Sequence, residues 1–199
     1  MKLLIQSILL TIIFTVLTGI IYPLAITGIS QVAFHDQANG SLLVRDGKVV
    51  GSELLAQQFT GDKYFWPRPS AGSYATVPSG ASNLGPTSQA LQSNVTANAM
   101  AFRTGNKLAA DAPVPADMVF TSGSGLDPHI SPEAARLQVA RVAAARSMGA
   151  DQVKALVEKF VESPQWGIFG EARVNVLRLN LALDEMDTKK AEGTGAVKG

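Results

Sequence analysis

The sequence contains no cysteine and only two histidines, His35 and His129. The first absence excludes disulfides and thiolate metal sites outright. It does not choose a compartment, because oxidising and reducing surroundings both tolerate a thiol-free domain. The second leaves at most two imidazoles toward the three or four ligands a zinc site needs, so carboxylates would have to complete any such site. A charge surplus is also missing: 17 basic residues stand against 16 acidic ones, for a net of +1. Nucleic-acid binding calls for a clearly basic face, and this composition offers none. No G-x-x-x-x-G-K-[ST], H-E-x-x-H, S-x-x-K or G-x-S-x-G pattern occurs, and no paired-carboxylate arrangement.

Charge is absent in a more telling way at the N-terminus. After Lys2 no charged residue appears until His35 and Asp36. A hydrocarbon core roughly 30 Å thick needs about 20 apolar residues in helix, and Leu3–Ile29 exceeds that. A cleaved signal peptide has a shorter apolar region ending in small residues, so the run reads as an uncleaved span. Gln6, Ser7, Thr11 and Thr15 lie near one side, while Gly19 and Pro23 thin the far half. Polar and small residues in a span mark a packing face toward other helices. Gln6, Thr11, Gly19 and Pro23 are the candidate partner contacts there. Lys2 and the amino terminus, by the positive-inside rule, place the N-terminus in the cytoplasm and the remainder outside.

The expected fold class is α+β: one membrane helix over residues 1–34, one external domain over 35–186, and a disordered tail over 187–199. Ser41–Arg45 and Lys48–Ser52 flank Asp46-Gly47, a strong two-residue hairpin signal. Gly61–Leu84 is rich in Gly, Pro and Ser and lacks apolar periodicity, as functional or partner-held loops often do. A helix is expected from Ser88 to Thr104 with Gly105 as its stop, and a short strand at MVFTS. Ser131-Pro132-Glu133 starts another helix, which Gly149 ends. A further helix covers Asp151–Glu162. Val174–Met186 fits both periods, and its Leu/Ala content and length favour helix.

Chemistry has few candidates. The stretch TSGSGLDPHISP, Thr121–Pro132, offers backbone N–H groups at Gly123, Ser124 and Gly125, weak candidates for a nucleotide or other anion. Ser124 with His129 is the nucleophile–base pair an anchored envelope hydrolase would use, but the elbow motif is missing. The helix-start reading of this stretch is the stronger one. Arg136, Arg141 and Arg146 splay around a helix, each rotated about 140° from the last, and read as a solvated surface. Tyr64, Phe65, Trp66 and Arg68 read equally as a docking surface and as aromatics folding a loop onto the core. An anchored sensor or chaperone, its Gly61–Leu84 loop ordering around a client, is a further alternative.

GSELLAQQFTGDKYFWPRPSA, SGASNLGPTSQ, SGSGLDPHISPEAARLQVARVA and VNVLRLNLALD, in this order after one span, resemble the KdpC family, the C subunit of the bacterial potassium-transporting Kdp ATPase. The resemblance runs from the span to about Met186. It implies a non-catalytic accessory subunit in the bacterial inner membrane. Its implied partners are a channel-like potassium-binding subunit, a P-type subunit that hydrolyses ATP, and a small membrane peptide. It further implies a role in assembly and as a catalytic chaperone that raises the pump subunit's ATP affinity. No cofactor is expected to bind tightly; ATP enters through the pump subunit. The pump's D-K-T-G motif is absent, since Asp62-Lys63 continues as Tyr64-Phe65, and no TVGYG filter occurs.

Overall fold

A computed structural model of the chain describes residues 1–195. It divides into two compact units, Met1–Ser52 and Glu53–Gly199. The hairpin therefore groups with the N-terminal helix, although the sequence suggested a boundary after residue 34.

In the first unit, α1 (Lys2–Val16) passes through a π-helical turn (Leu17–Ile21) into α2 (Tyr22–Ala33). The cause lies at Pro23, which has no N–H to give the carbonyl of Gly19 and whose ring crowds it. The wider turn absorbs that crowding, and Tyr22 N–H reaches back five residues to the Leu17 carbonyl. Lys2–Ala33 is long and apolar enough to cross a membrane, and neither α1 nor α2 has a buried residue. A short helix, α3 (His35–Ala38), leads to the predicted hairpin, β1 (Leu42–Arg45) and β2 (Lys48–Ser52). Its turn residues Asp46 and Gly47 take φ of +52° and +73°, as a two-residue hairpin loop requires.

The second unit is a mixed α+β domain. Its helices are α4 (Gln89–Gly105), α5 (Pro132–Ala145), α6 (Ala150–Lys159) and α7 (Val176–Gly195). Three very short strands, β3 (His129–Ile130), β4 (Val161–Glu162) and β5 (Arg173–Asn175), form an antiparallel sheet in the order β3-β5-β4. Apolar faces of α5, α6 and α7 meet over this sheet, burying Val142, Val153, Val157, Val174, Leu179 and Leu183.

Several expectations hold. The helix expected from Ser88 begins one residue on, with Ser88 as its cap, and Ser131 caps α5 as expected, their hydroxyls accepting from Leu91 and Ala134 N–H. Others change. MVFTS is not a strand: the carbonyls of Pro115 and Ala116 close a 3₁₀ turn, and Asn98 donates to the Val119 carbonyl where a strand partner would. Gly149 does not end α5, whose cap is Arg146; it caps the start of α6. The segment from Val174 is both things its pattern allowed, strand to Asn175 and helix from Val176. That helix runs to Gly195, through most of the stretch expected to be a disordered tail; residues 196–199 lie outside the described residues.

Candidate functional site

The loop 121–132 is built as a start, in two stages. Gly125 takes φ of +71°, and a side chain there would meet the Gly80 carbonyl at 2.9 Å, so glycine is required. Ser124 Oγ accepts from Leu126 N–H at 3.1 Å, and Gly125 N–H donates to the Ser122 carbonyl. Asp127 then accepts from His129 N–H at 3.0 Å and from Arg68 at 2.7 Å, fixing the entry to β3. At the head of α5, Asp117 accepts from Ser131 N–H at 2.6 Å and from its hydroxyl at 3.1 Å.

These contacts decide among the chemical readings. Gly123, Ser124 and Gly125 do not sit at the helix N-terminus, because β3 intervenes, and the side chain already seated at that terminus is Asp117. Burial would raise the Asp127 carboxyl, but hydrogen bonds from His129 and the Arg68 guanidinium outweigh it and hold the group at about 2. An ionised carboxylate two residues from Gly125 opposes a phosphate there. Ser124 is tied to Leu126 and His129 faces Asp127 at 3.4 Å, and no hydrogen bond joins Ser124 to His129 among the described residues. The arrangement supplies a turn, a strand entry and a helix cap.

The segment Asp62–Arg68 shows where sequence reasoning went astray. Phe65 is 0% exposed and sits in the core, so it is not a surface contact. Its irregular backbone is satisfied by side-chain amides: Asn180 accepts from Phe65 N–H at 2.8 Å and donates to its carbonyl at 3.0 Å. Gln138 does the same for Trp66, at 2.7 and 3.3 Å. Arg141 and Arg146 are not solvated. Arg141 donates to the Asp62 and Tyr64 carbonyls, to Asn106 and to Gln138, and its guanidinium lies 3.9 Å from the Trp66 ring centre. Burial pushes it down to about 10, with Asp62 opposing, so it stays charged at neutral pH. Arg146 donates to the Lys63 carbonyl and pairs with Asp184 and Asp187 on α7. Only Arg136 lies at the surface, paired with Glu158. The splay of about 140° was right; two of the three directions point inward.

Tyr64, Trp66 and Arg68 are half-buried. Trp66 presses on Gly105, where a Cβ would meet its ring at 2.2 Å. The loop beyond is held too: Ser70 donates to the Gly125 carbonyl, and Tyr74 hydroxyl to that of Arg68. In the span, Ser7, Thr11 and Thr18 return their hydroxyls to their own helix, at Leu4, Ser7 and Phe14. Gln6 makes no such bond among the described residues.

Sequence reasoning missed one surface feature altogether. Trp166, Ile168 and Phe169 stand exposed on the turn between β4 and β5. The signal was there, three large apolar residues between Pro164 and Gly170, but no periodicity flags so short a stretch.

A helix long and apolar enough to span a membrane and a small α+β domain whose polar groups mostly serve its own packing define a class: a small α+β domain carried behind one apolar N-terminal helix. The family model described as "K+-transporting ATPase, c chain" matches residues 4–185, and the chain belongs to this KdpC family. It is 52% identical over 183 residues to the potassium-transporting ATPase KdpC subunit of Dechloromonas aromatica, covering 89% of this chain and 94% of that one. With the KdpC subunit of Rhodospirillum rubrum it shares 57% over 173 residues, 86% and 89% of the two chains. With that of Mycobacterium tuberculosis it shares 51% over 185 residues, 92% and 98%.

Proposed function

We propose that the chain is a non-catalytic accessory subunit of an ATP-driven, high-affinity potassium uptake complex, in which another chain hydrolyses ATP. The observation that carries this is family membership across residues 4–185, anchor and domain together. Its partners in this reading are a channel-like potassium-binding subunit, a P-type ATP-hydrolysing subunit and a small membrane peptide. The helix Lys2–Ala33 packs against their spans in the bacterial inner membrane. The N-terminus is cytoplasmic and the domain extracytoplasmic, in keeping with the single positive side chain before the span.

In this reading the subunit stabilises the assembly and raises the pump's affinity for ATP. From outside the membrane it does so by favouring one conformation of the pump, since a partner that binds one state better shifts the equilibrium toward it. The test is the complex purified from cells grown at low potassium, with and without this chain. Loss of the chain should leave a complex that falls apart, or one whose KM for ATP rises several-fold. Intact assembly with an unchanged KM would sink the proposal.

A further inference from the structure

Among the asparagines of the chain, Asn39 alone is followed by glycine. The fold explains the pairing. The short helix α3 must stop before β1, and it stops in a left-handed cap: Ser41 N–H donates to the Asp36 carbonyl at 2.8 Å and Gly40 N–H to the Gln37 carbonyl at 3.1 Å. Gly40 takes φ of +91°, which a side chain would resist, so the position calls for glycine. Asn39 fills the place before it, with its side chain exposed. That side chain forms a clamp. Its amide donates to the His35 carbonyl at 2.7 Å and to Gln31 Oε1 at 3.2 Å, while Gln31 Nε2 donates back to Asn39 Oδ1 at 3.4 Å. The clamp ties the last turn of α2 to the helix that leads into the hairpin.

An asparagine before glycine carries its own electrophile and nucleophile. Once deprotonated, the glycine backbone nitrogen can close a five-membered ring on the side-chain Cγ, and no Cβ on glycine obstructs the approach. The bond from Gly40 N to Asn39 Cγ forms as the Cγ–Nδ2 bond breaks, and the departing nitrogen takes up the proton and leaves as ammonia. Water then opens the succinimide at either carbonyl, giving aspartate or isoaspartate. The net change consumes one water and releases one ammonia. Intramolecular attack starts with the reactants already joined, so in a folded chain the release of the reacting groups sets the rate. Here release is easy. Gly40 N–H must leave the Gln37 carbonyl, and the amide must leave Gln31 and His35. These groups belong to an exposed four-residue helix and the exposed end of α2, and so short a helix opens locally at little free-energy cost. Asn106, Asn175 and Asn180 differ on both counts: they are buried, and they precede Lys107, Val176 and Leu181, whose side chains hinder the attack.

We propose that Asn39 is a site of spontaneous deamidation, gated by opening of α3, and that its conversion releases the clamp between α2 and α3. The product carboxylate has no N–H to give the His35 carbonyl, and isoaspartate adds a methylene to the main chain inside the cap. The test follows the purified full chain in detergent, in neutral and in mildly alkaline buffer, by peptide mass mapping that separates aspartate from isoaspartate. A synthetic peptide covering Gln37–Val44 is the unfolded reference. Asn39 should convert before any other asparagine, faster at the higher pH, and within roughly a hundredfold of the peptide's rate. Gln31→Ala, an exposed substitution that removes one partner of the amide, should speed conversion several-fold. Amide exchange at Gly40 and Ser41 should rise several-fold in the converted fraction. An Asn39 still intact after about a hundred peptide half-lives, or another asparagine converting first, overturns the site. An unchanged rate in Gln31→Ala refutes the gating, and unchanged exchange at Ser41 refutes the release of the clamp.

Discussion

Phe65→Ala separates a core role for the Tyr64–Arg68 segment from a docking role. Phe65 is 0% exposed and belongs to the core that includes Phe102, Ile130, Val142 and Leu183. Truncating a buried phenylalanine costs about 3–5 kcal/mol, the transfer of the lost atoms plus the cavity they leave. Domain stabilities run about 5–15 kcal/mol, so the change consumes about a fifth or more of the total. For a domain of this size each kcal/mol is worth about 2–4 °C, which sets the fall in Tm at about 6–20 °C. Scanning calorimetry of the detergent-solubilised chain, with near-UV circular dichroism as second probe, measures it. Loss from the complex should then track loss of folded protein. A variant that keeps its Tm within about 2 °C and still leaves the complex would refute the core assignment and make Phe65 a partner contact.

Asn180→Ala orphans the N–H and carbonyl of fully buried Phe65. At about 1–3 kcal/mol per orphan, urea unfolding should show a loss of about 2–6 kcal/mol, and a loss under 0.5 would contradict the clamp. Gly105→Ala sets two effects against each other. Helix propensity gains about 1 kcal/mol, while a Cβ at 2.2 Å from the Trp66 ring overpacks by about 1–3 kcal/mol and disturbs the stack with Arg141. Net destabilisation is expected, and a raised Tm would show that the ring yields freely. Asp127 has its carboxyl lowered from 3.8 to about 2 in the fold. A depressed carboxylate contributes stability that is present above the unfolded value and lost as pH falls from about 4 through about 2. Asp127→Asn should flatten the stability–pH curve in that window; an unchanged slope there would rule out Asp127 as its source.

What the sequence made legible was what local rules govern. The long apolar helix, the Asp46-Gly47 hairpin, the helix start near Ser88 and the cap at Ser131 each follow from a few adjacent residues, and each is there. The three-stranded sheet was invisible, because strands of two or three residues cannot display alternation. Arg141 and Arg146 were misjudged because helical spacing fixes direction, not what lies in that direction. Their acceptors are carbonyls of Asp62–Tyr64, more than seventy residues earlier. Gly105 looked like a stop signal and is instead the flat place on α4 that admits Trp66. In the candidate loop the N-cap was legible, and the partner that occupies it, Asp117, was not.

The polar clamps bear on function through specificity rather than stability. A core of Asn180, Gln138, Arg141 and Arg146 around an irregular backbone is not the cheapest way to bury Phe65, since each buried polar group must find partners or lose more than it gains. Fully satisfied, however, such a network accepts one placement of the segment and rejects its neighbours. The result is a domain in which several loops are held by side chains and turns: Asp62–Trp66 by arginines and amides, Ser70 by the Gly125 carbonyl, Tyr74 by Ser70 and the Arg68 carbonyl, and 164–170 by its own turn. A catalytic domain would spend such order on aligning reactive groups. In the proposed reading, such order gives the subunit a fixed surface with which to hold a partner in one conformation.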